Sequence, residues 1–359
     1  MTDGSLTRPA VEALLQEFLD PETGRSLTQM EQVHSLTVGA NRVDVTIGLT
    51  SYSAPLWQET CAALQQLLQS KLPGSPEVKV QAALHQSEAE PIGGIGLTVK
   101  SVIAVGSGKG GVGKSTIAAS LAYGLKNSGC KVGLMDADVY GPSIPHLLGL
   151  EGRPTAENNR LQPILADGMP VMSMGFLVPP EEAVVWRGPM LHGAVTQFLR
   201  DTDWGDLDFL IIDMPPGTGD IALTLSQLLP LTGAVVVCTP QDVALLDAVK
   251  AVAMFRKVNI PMLGIVENMS YFLCPDNGQR YDIFGSGGAR RKAETLEVPF
   301  LGEVPIQIDI RKRGDEGNTA GNFLDPAAAP YFEQICYKLI KNITSSRQAN
   351  PPMPSLSVL

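Results

Sequence analysis

The residues best equipped for chemistry lie in one stretch, Gly106-Ser-Gly-Lys-Gly-Gly-Val-Gly-Lys-Ser-Thr116. Residues Gly108 to Ser115 fit the pattern G-x-x-x-x-G-K-[ST], whose glycines let backbone N–H groups converge on an anion. A β-branched run precedes the stretch and a helical pattern from Thr116 to Lys126 follows it, so a helix N-terminus adds its partial positive charge. In such a loop Gly108, Lys109, Gly110, Gly111, Val112 and Gly113 form the cradle. Lys114 reaches the β- and γ-phosphates, the Ser115 hydroxyl holds Mg²⁺, and Thr116 donates to the α-phosphate. The cofactors this implies are ATP and Mg²⁺. Gly106 to Gly111 also fits G-x-G-x-x-G, the dinucleotide pattern, and the next strand ends in Asp136. The Gly-Lys-Ser-Thr ending favours triphosphate chemistry, because it supplies a cation and a metal-binding hydroxyl. A second acid-terminated strand, Phe209-Leu-Ile-Ile-Asp213, favours it further.

Carboxylates at strand ends of an open parallel sheet face the ligand crevice. Asp136 and Asp138 close one strand, and Asp213 closes another as a carboxylate that holds the Mg²⁺ shell. Asp220, after Pro215-Pro-Gly-Thr-Gly, reads equally as a helix cap. Glu267-Asn268 follow an apolar strand, where Asn268 by itself reads as a turn residue.

Positioning these groups requires a sheet. From about Leu97, short β-branched runs alternate with helical patterns: Val102–Val105, Val132–Asp136, Phe209–Asp213, Val235–Thr239, Met262–Glu267 and Phe300–Val304. That alternation predicts an α/β fold, a mostly parallel sheet with helices on both faces. The residues before it read as a small α+β domain: a helix over Leu6–Leu19, strands Val33–Val38 and Val43–Leu49 around Gly39-Ala40-Asn41, a helix Leu56–Leu72, and a strand Val78–Leu84. The expected organisation is a small domain at 1–86, a linker at 87–97, the large domain at 98–345, and a Pro-rich disordered tail at 346–359.

With 359 residues the chain exceeds one small core. It has no apolar run of the ~18 residues needed to cross a bilayer, and its first residues do not read as a leader. A net charge of −10 argues against nucleic-acid binding. The basic clusters Arg290-Arg-Lys292 and Arg311-Lys-Arg313 read as solvated faces, and the uncharged tail does not suit membrane binding. Five scattered cysteines suggest no disulfide framework and a reducing, cytoplasmic setting. Cys130, Cys238 and Cys336 read as packing residues. Four dispersed histidines, His146 among them, show no metal spacing.

Lys109 makes the loop Lys-Gly-Gly-x-Gly-Lys-[ST], which resembles the deviant Walker motif of the ParA, MinD and nitrogenase-iron-protein group of SIMIBI-type P-loop NTPases. The resemblance implies a homodimer in which Lys109 reaches the partner's nucleotide, as an arginine finger would. It also implies that Asp138 orients the attacking water, that Asp136 supports Mg²⁺ or a switch, and that Asn268 reads adenine. Within that group, Trp204 to Asp220, Asp136 to His146, Trp186-Arg-Gly-Pro189 and Glu267-Asn-Met-Ser270 resemble the Mrp (ApbC-like) ATPases. Asp20-Pro-Glu-Thr-Gly24 resembles the MIP18-like domain that many of them carry in front. The family implies a slow ATP hydrolase that carries iron–sulfur clusters, a [4Fe-4S] cluster bridging the dimer, to apo iron–sulfur client proteins. Here the sequence departs from the pattern. Many members have Cys-x-x-Cys where this chain reads Cys274-Pro-Asp-Asn277. Cys274 alone supplies two thiolates per dimer, where a cluster normally takes four. An ATP-switched assembly, regulatory or partitioning-type ATPase without a cluster is the alternative reading.

Overall fold

The computed structural model describes residues 6–139, 141–177, 188–217 and 219–349. Trp186-Arg187 and the tail from Asn350 onward, both singled out above, lie outside the described residues. The chain divides into two units, one of Met1–Glu88 with Ile340–Leu359 and one of Ala89–Leu339.

In the first unit, α1 (Arg8–Glu17) has a proline in its first turn, where the missing N–H has no helical partner to lose. The hairpin β1 (Val33–Val38) and β2 (Arg42–Leu49) closes on Gly39, whose N–H donates to the Arg42 carbonyl at 2.8 Å. Then α2 (Trp57–Lys71) crosses back, so that β3 (Glu77–Leu84) runs parallel to β2. Apolar residues four apart, Val11 with Leu15 and Leu64 with Leu68, place one stripe of each helix against Val43, Val45 and Ile47 of β2. These elements match the sequence expectation.

The second unit opens with β4 (Pro91–Ile92) pairing antiparallel to β5 (Leu97–Ser107). The loop after β5 enters α3 (Lys114–Asn127), followed by β6 (Val132–Asp136) and a single helical turn, α4 (Ile144–Leu147). A hairpin of β7 (Thr155–Glu157) and β8 (Arg160–Gln162) precedes β9 (Ile164–Ala166) and β10 (Met169–Ser173). Next come α5 (Gly188–Asp201), β11 (Leu207–Asp213), α6 (Gly219–Leu228), β12 (Gly233–Cys238) and α7 (Asp242–Lys257). The chain continues through β13 (Met262–Leu273), β14 (Arg280–Tyr281), α8 (Gly288–Thr295) and β15 (Phe300–Ile306), then α9 (Ile308–Asp315) and α10 (Ala329–Ala349). The last turns of α10, from Ile340, count with the first unit.

The main sheet has strand order β14-β13-β12-β5-β11-β6-β10-β9, with β15 also paired to β13. All the pairings among β15, β13, β12, β5, β11, β6 and β10 are parallel. Both faces are covered, which is why β5, β11 and β12 read as nearly continuous apolar runs. Val102, Ala104, Leu210, Ile212 and Val236 are buried in one core with Phe198 of α5 and Phe255 of α7. The sequence reading contained six parallel strands. The seventh, β10, was missed because Met-Pro-Val-Met-Ser has little β-branched character.

One expectation needs correction. Glu267-Asn268 do not end their strand as a turn would: β13 continues to Leu273, with Met269 at φ +53° and a register shift after Asn268. Glu267 is fully buried, accepting from the Ser270 hydroxyl at 2.6 Å and from the Ala289 N–H at the start of α8 at 2.8 Å. Glu267→Ala strands both donors in the core and should cost about 1–3 kcal/mol of stability. Urea unfolding of the variant beside wild type checks this, and an unchanged midpoint contradicts the bracing role.

Candidate functional site

The site grows out of the register of three adjacent strands. Asp213 stands level with Val105 of β5 on one side and Asp136 of β6 on the other, and Ser173 of β10 stands level with Asp136. Two carboxylates and a hydroxyl therefore line up at the carboxyl ends of parallel strands, where an open α/β sheet binds its ligands. From β5 the chain passes over β11 to reach β6, and β12 lies on β5's other side, so the reversal of strand order falls at the glycine-rich loop.

That loop turns through Gly111 and Gly113, at φ +77° and +78°, a conformation that side chains with a Cβ rarely adopt. A Cβ on Gly113 would also collide with the Asn268 amide. Asn268 Nδ2 donates to the Val112 carbonyl at 2.9 Å, so in this structure Asn268 braces the loop from behind. Val112 is buried, and Gly108 packs against the Asp247 backbone of α7. The rest of the loop faces a cleft of about 300 Å³ lined by Lys109, Gly110, Gly111, Gly113, Lys114, Ser115, Thr116 and Asp138. Ser107, Gly141, Ser143, His146, Leu147 and Pro216 complete the wall. His146 is exposed and borders the cleft.

Lys114 is the electrostatic centre. Its side chain is only 6% exposed, and Nζ lies 2.6 Å from Asp213 Oδ1, 3.6 Å from Asp138 Oδ2 and 3.2 Å from Ser115 Oγ. Burial pushes the Asp213 carboxyl up, and the Lys114 charge and Ser115 hydroxyl oppose that rise. Asp136 is more extreme. Burial first, and the Asp213 charge second, raise it to about 8. Both of its oxygens are engaged: Oδ1 accepts from the Asp138 N–H at 3.0 Å, and Oδ2 from the Ile144 N–H at 3.2 Å and the Ser173 hydroxyl at 3.0 Å. Asp136 thus ties together the segment that carries Asp138. Ser173 carried no signal in the sequence.

Asp213 Oδ2 is buried with no hydrogen-bond partner among the described residues. A buried carboxylate oxygen left unpaired is costly. One beside a phosphate loop and the Ser115 hydroxyl fits the hydrated shell of Mg²⁺. The residues present therefore suit that ion. Asp220 is exposed in the first turn of α6, where it complements the helix dipole.

Cys274 is not part of the cleft. It sits just past β13 at the tip of the β13–β14 hairpin, half-buried, with its N–H on the Gln279 carbonyl at 3.0 Å. Asn277, where a second cysteine would stand, accepts from the Gln279 N–H at 2.9 Å. Cys130, Cys238 and Cys336 are buried, as expected of packing residues. Burial, with the nearby Glu267 and Glu333 charges respectively, pushes the Cys238 and Cys336 thiols up to about 12, far from a reactive thiolate. In the basic clusters Arg311 pairs with Asp315, Arg313 pairs with Asp325 and Arg290 lies over the Phe300 ring. Among the described residues no helix is long and apolar enough to cross a membrane.

Comparison with known proteins matches two separate stretches of the chain. A family model described as the NUBPL iron-transfer P-loop NTPase matches residues 98–340, and one described as an iron-sulfur cluster assembly protein matches residues 8–82. An iron-sulfur cluster carrier protein of Deinococcus radiodurans is 48% identical over 344 residues, covering 95% of this chain and 94% of the relative. The carrier protein of Escherichia coli is 43% identical, covering 86% and 85%. The iron-sulfur cluster transfer protein NUBPL of Mus musculus is 49% identical, covering 69% and 79%. Among solved structures, a nucleotide-binding protein of Archaeoglobus fulgidus in complex with ADP superposes with a TM-score of 0.58 at 42% identity, over 66% of this chain and 93% of that one. The cell division ATPase MinD of Pyrococcus furiosus, at TM-score 0.50 and 23% identity over 67% of this chain and 99% of that one, shares the fold.

Gly113→Ala forces a Cβ into left-handed backbone and onto Asn268. It should weaken binding of a fluorescent ATP analogue at least about tenfold, roughly 1.4 kcal/mol. Wild-type affinity in that variant contradicts the loop's role as the phosphate cradle.

Proposed function

The chain belongs to the NUBPL-type iron-transfer P-loop NTPases, and from that premise we propose that it works as an ATP-binding, slowly hydrolysing homodimer that carries iron–sulfur clusters and passes them to apoproteins. Carrier relatives matching nearly the whole chain support the cargo. The observation that carries the nucleotide half is the Lys114 ammonium held between Asp213 and Asp138 at the mouth of a glycine cradle.

In the proposed reaction the loop N–H groups and the start of α3 receive the phosphates, and Lys114 turns from Asp213 to the β- and γ-phosphate oxygens. Asp213 and the Ser115 hydroxyl are then the groups that would hold Mg²⁺, which when bound neutralises phosphate charge. Asp138, fixed through the Asp136 carboxyl, orients the attacking water. Asp136 acts by holding that segment, since its own oxygens are already engaged. Thr116 lines the cleft for the α-phosphate. Lys109, half-buried on the loop, is the residue offered to the partner's nucleotide, where a cation stabilises transition-state charge.

The cluster is cargo. Cys274 in each of two chains would anchor it, leaving two iron positions for outside thiols or a client's ligands. Incomplete ligation suits a group meant to be handed on. Asn277 at the second position favours one rival reading, an ATP-switched assembly or regulatory ATPase that holds no cluster.

Lys114→Ala leaves the β/γ charge unpaired and should abolish nucleotide binding and turnover. Lys109→Ala should leave binding within about twofold and lower kcat by roughly tenfold or more, since a trans-acting cation acts on the transition state. Equilibrium binding and phosphate release, measured on both variants, separate the two roles. An unchanged kcat in Lys109→Ala contradicts the cross-subunit role.

A further inference from the structure

The four histidines show no metal spacing along the chain, yet the first unit brings two of them together. His34 Nε2 lies 3.2 Å from His85 Nδ1, across 51 residues of sequence, with ring centroids 5.5 Å apart and planes tilted by 37°. Two departures from regular sheet make this meeting possible. His34 sits in a bulge of β1, where the register with β2 slips between Val33 and Ser35. Bulges re-aim side chains, and they do so here toward the middle of the sheet. The strand it crosses, β2, presents Gly48 at that point. A Cβ on Gly48 would run into the His34 imidazole, with Cε1 at 2.6 Å. A glycine inside a strand commonly marks such a close approach. Beyond β2, His85 continues the line of β3, its N–H on the Leu49 carbonyl at 2.9 Å.

We propose that His34 and His85 form a two-imidazole site for a single borderline divalent transition ion of the zinc class. Imidazole nitrogen suits such ions, and two nitrogens each about 2.0–2.1 Å from a common ion sit roughly 3 Å apart. The observed 3.2 Å separation of the hydrogen-bonded nitrogens is close to that distance. One ring must move its proton to its other nitrogen, and both rings must rotate off their mutual hydrogen-bond line, for the facing nitrogens to aim lone pairs at one ion. His34 is exposed and His85 half-exposed, so the ion arrives from solvent. No group of three or more His, Cys, Asp and Glu side chains able to hold an ion occurs among the described residues. Water therefore fills the remaining positions, binding is exchangeable, and a closed four-ligand structural zinc site is not what the fold has built. These groups belong to neither the phosphate cleft nor the Cys274 hairpin.

The test is calorimetric titration of the full chain with Zn²⁺ at neutral pH, in a Cys61→Ala, Cys274→Ala background that removes the two thiols that are not buried. The parent should bind one ion per chain. His34→Gln and His85→Gln should each weaken that event at least about tenfold, and the double variant should lose no more than either alone, because the ligands act as a pair. Thermal melting without metal verifies that all three variants remain folded. No binding by the parent below millimolar Zn²⁺, or unchanged stoichiometry and affinity in both single variants, overturns the proposal and leaves the two rings as a hydrogen-bonded surface pair.

Discussion

A lysine ammonium almost withdrawn from water must face anions, and the arrangement around Lys114 is organised by that requirement. Removing a charge from water costs several kcal/mol unless geometry and hydrogen bonds compensate. Here Asp213 at 2.6 Å and Asp138 at 3.6 Å supply the compensation, and a nucleotide's phosphates offer a stronger set. An ammonium held between protein carboxylates at the mouth of the glycine cradle is the physical basis of the proposed nucleotide site. In the proposed reaction the two sets of anions compete for one cation.

The sheet sets the terms of that competition. Asp213 and Asp136 are level because β11 and β6 pair in register, not because the two residues are near in sequence. Burial, and after it the neighbouring Asp213 charge, raises Asp136, and the Asp138 and Ile144 N–H groups and the Ser173 hydroxyl oppose that rise. Those same bonds fix the loop leading to α4, along which Asp138, Gly141, Ser143 and His146 border the cleft. On the opposite side Asn268 clamps the loop carbonyl of Val112, and Glu267 beside it anchors α8. The strand that carries both then runs on to the Cys274 hairpin. One strand, β13, thus runs from the back of the phosphate loop to the hairpin that holds Cys274.

The phosphate loop and the strand-terminal acids were legible in the sequence because their chemistry is local: glycines, a lysine and a hydroxyl within eleven residues, and acids ending apolar runs. The parallel sheet was legible for a related reason, since strands covered on both faces must be apolar throughout. What escaped depends on distant residues meeting. Ser173 became a partner of Asp136 only through the pairing of β10, a strand whose methionines and proline disguise it. Asn268 looked like a turn or an adenine contact, and its brace on Val112 needed two segments 156 residues apart. The His34–His85 pair was invisible because a bulge and a glycine, neither conspicuous alone, bring the rings together.

The central claim is that this nucleotide-binding fold carries a cluster although its hairpin holds Cys274 and Asn277 in place of two cysteines. The most direct measurement is anaerobic reconstitution with iron and sulfide, followed by quantifying iron, acid-labile sulfide and visible absorbance in wild type and in Cys274→Ala. The account predicts a stoichiometric cluster in wild type that is lost in the variant. Wild-type protein that retains no iron or sulfide, or a cluster that survives the loss of Cys274, would contradict it.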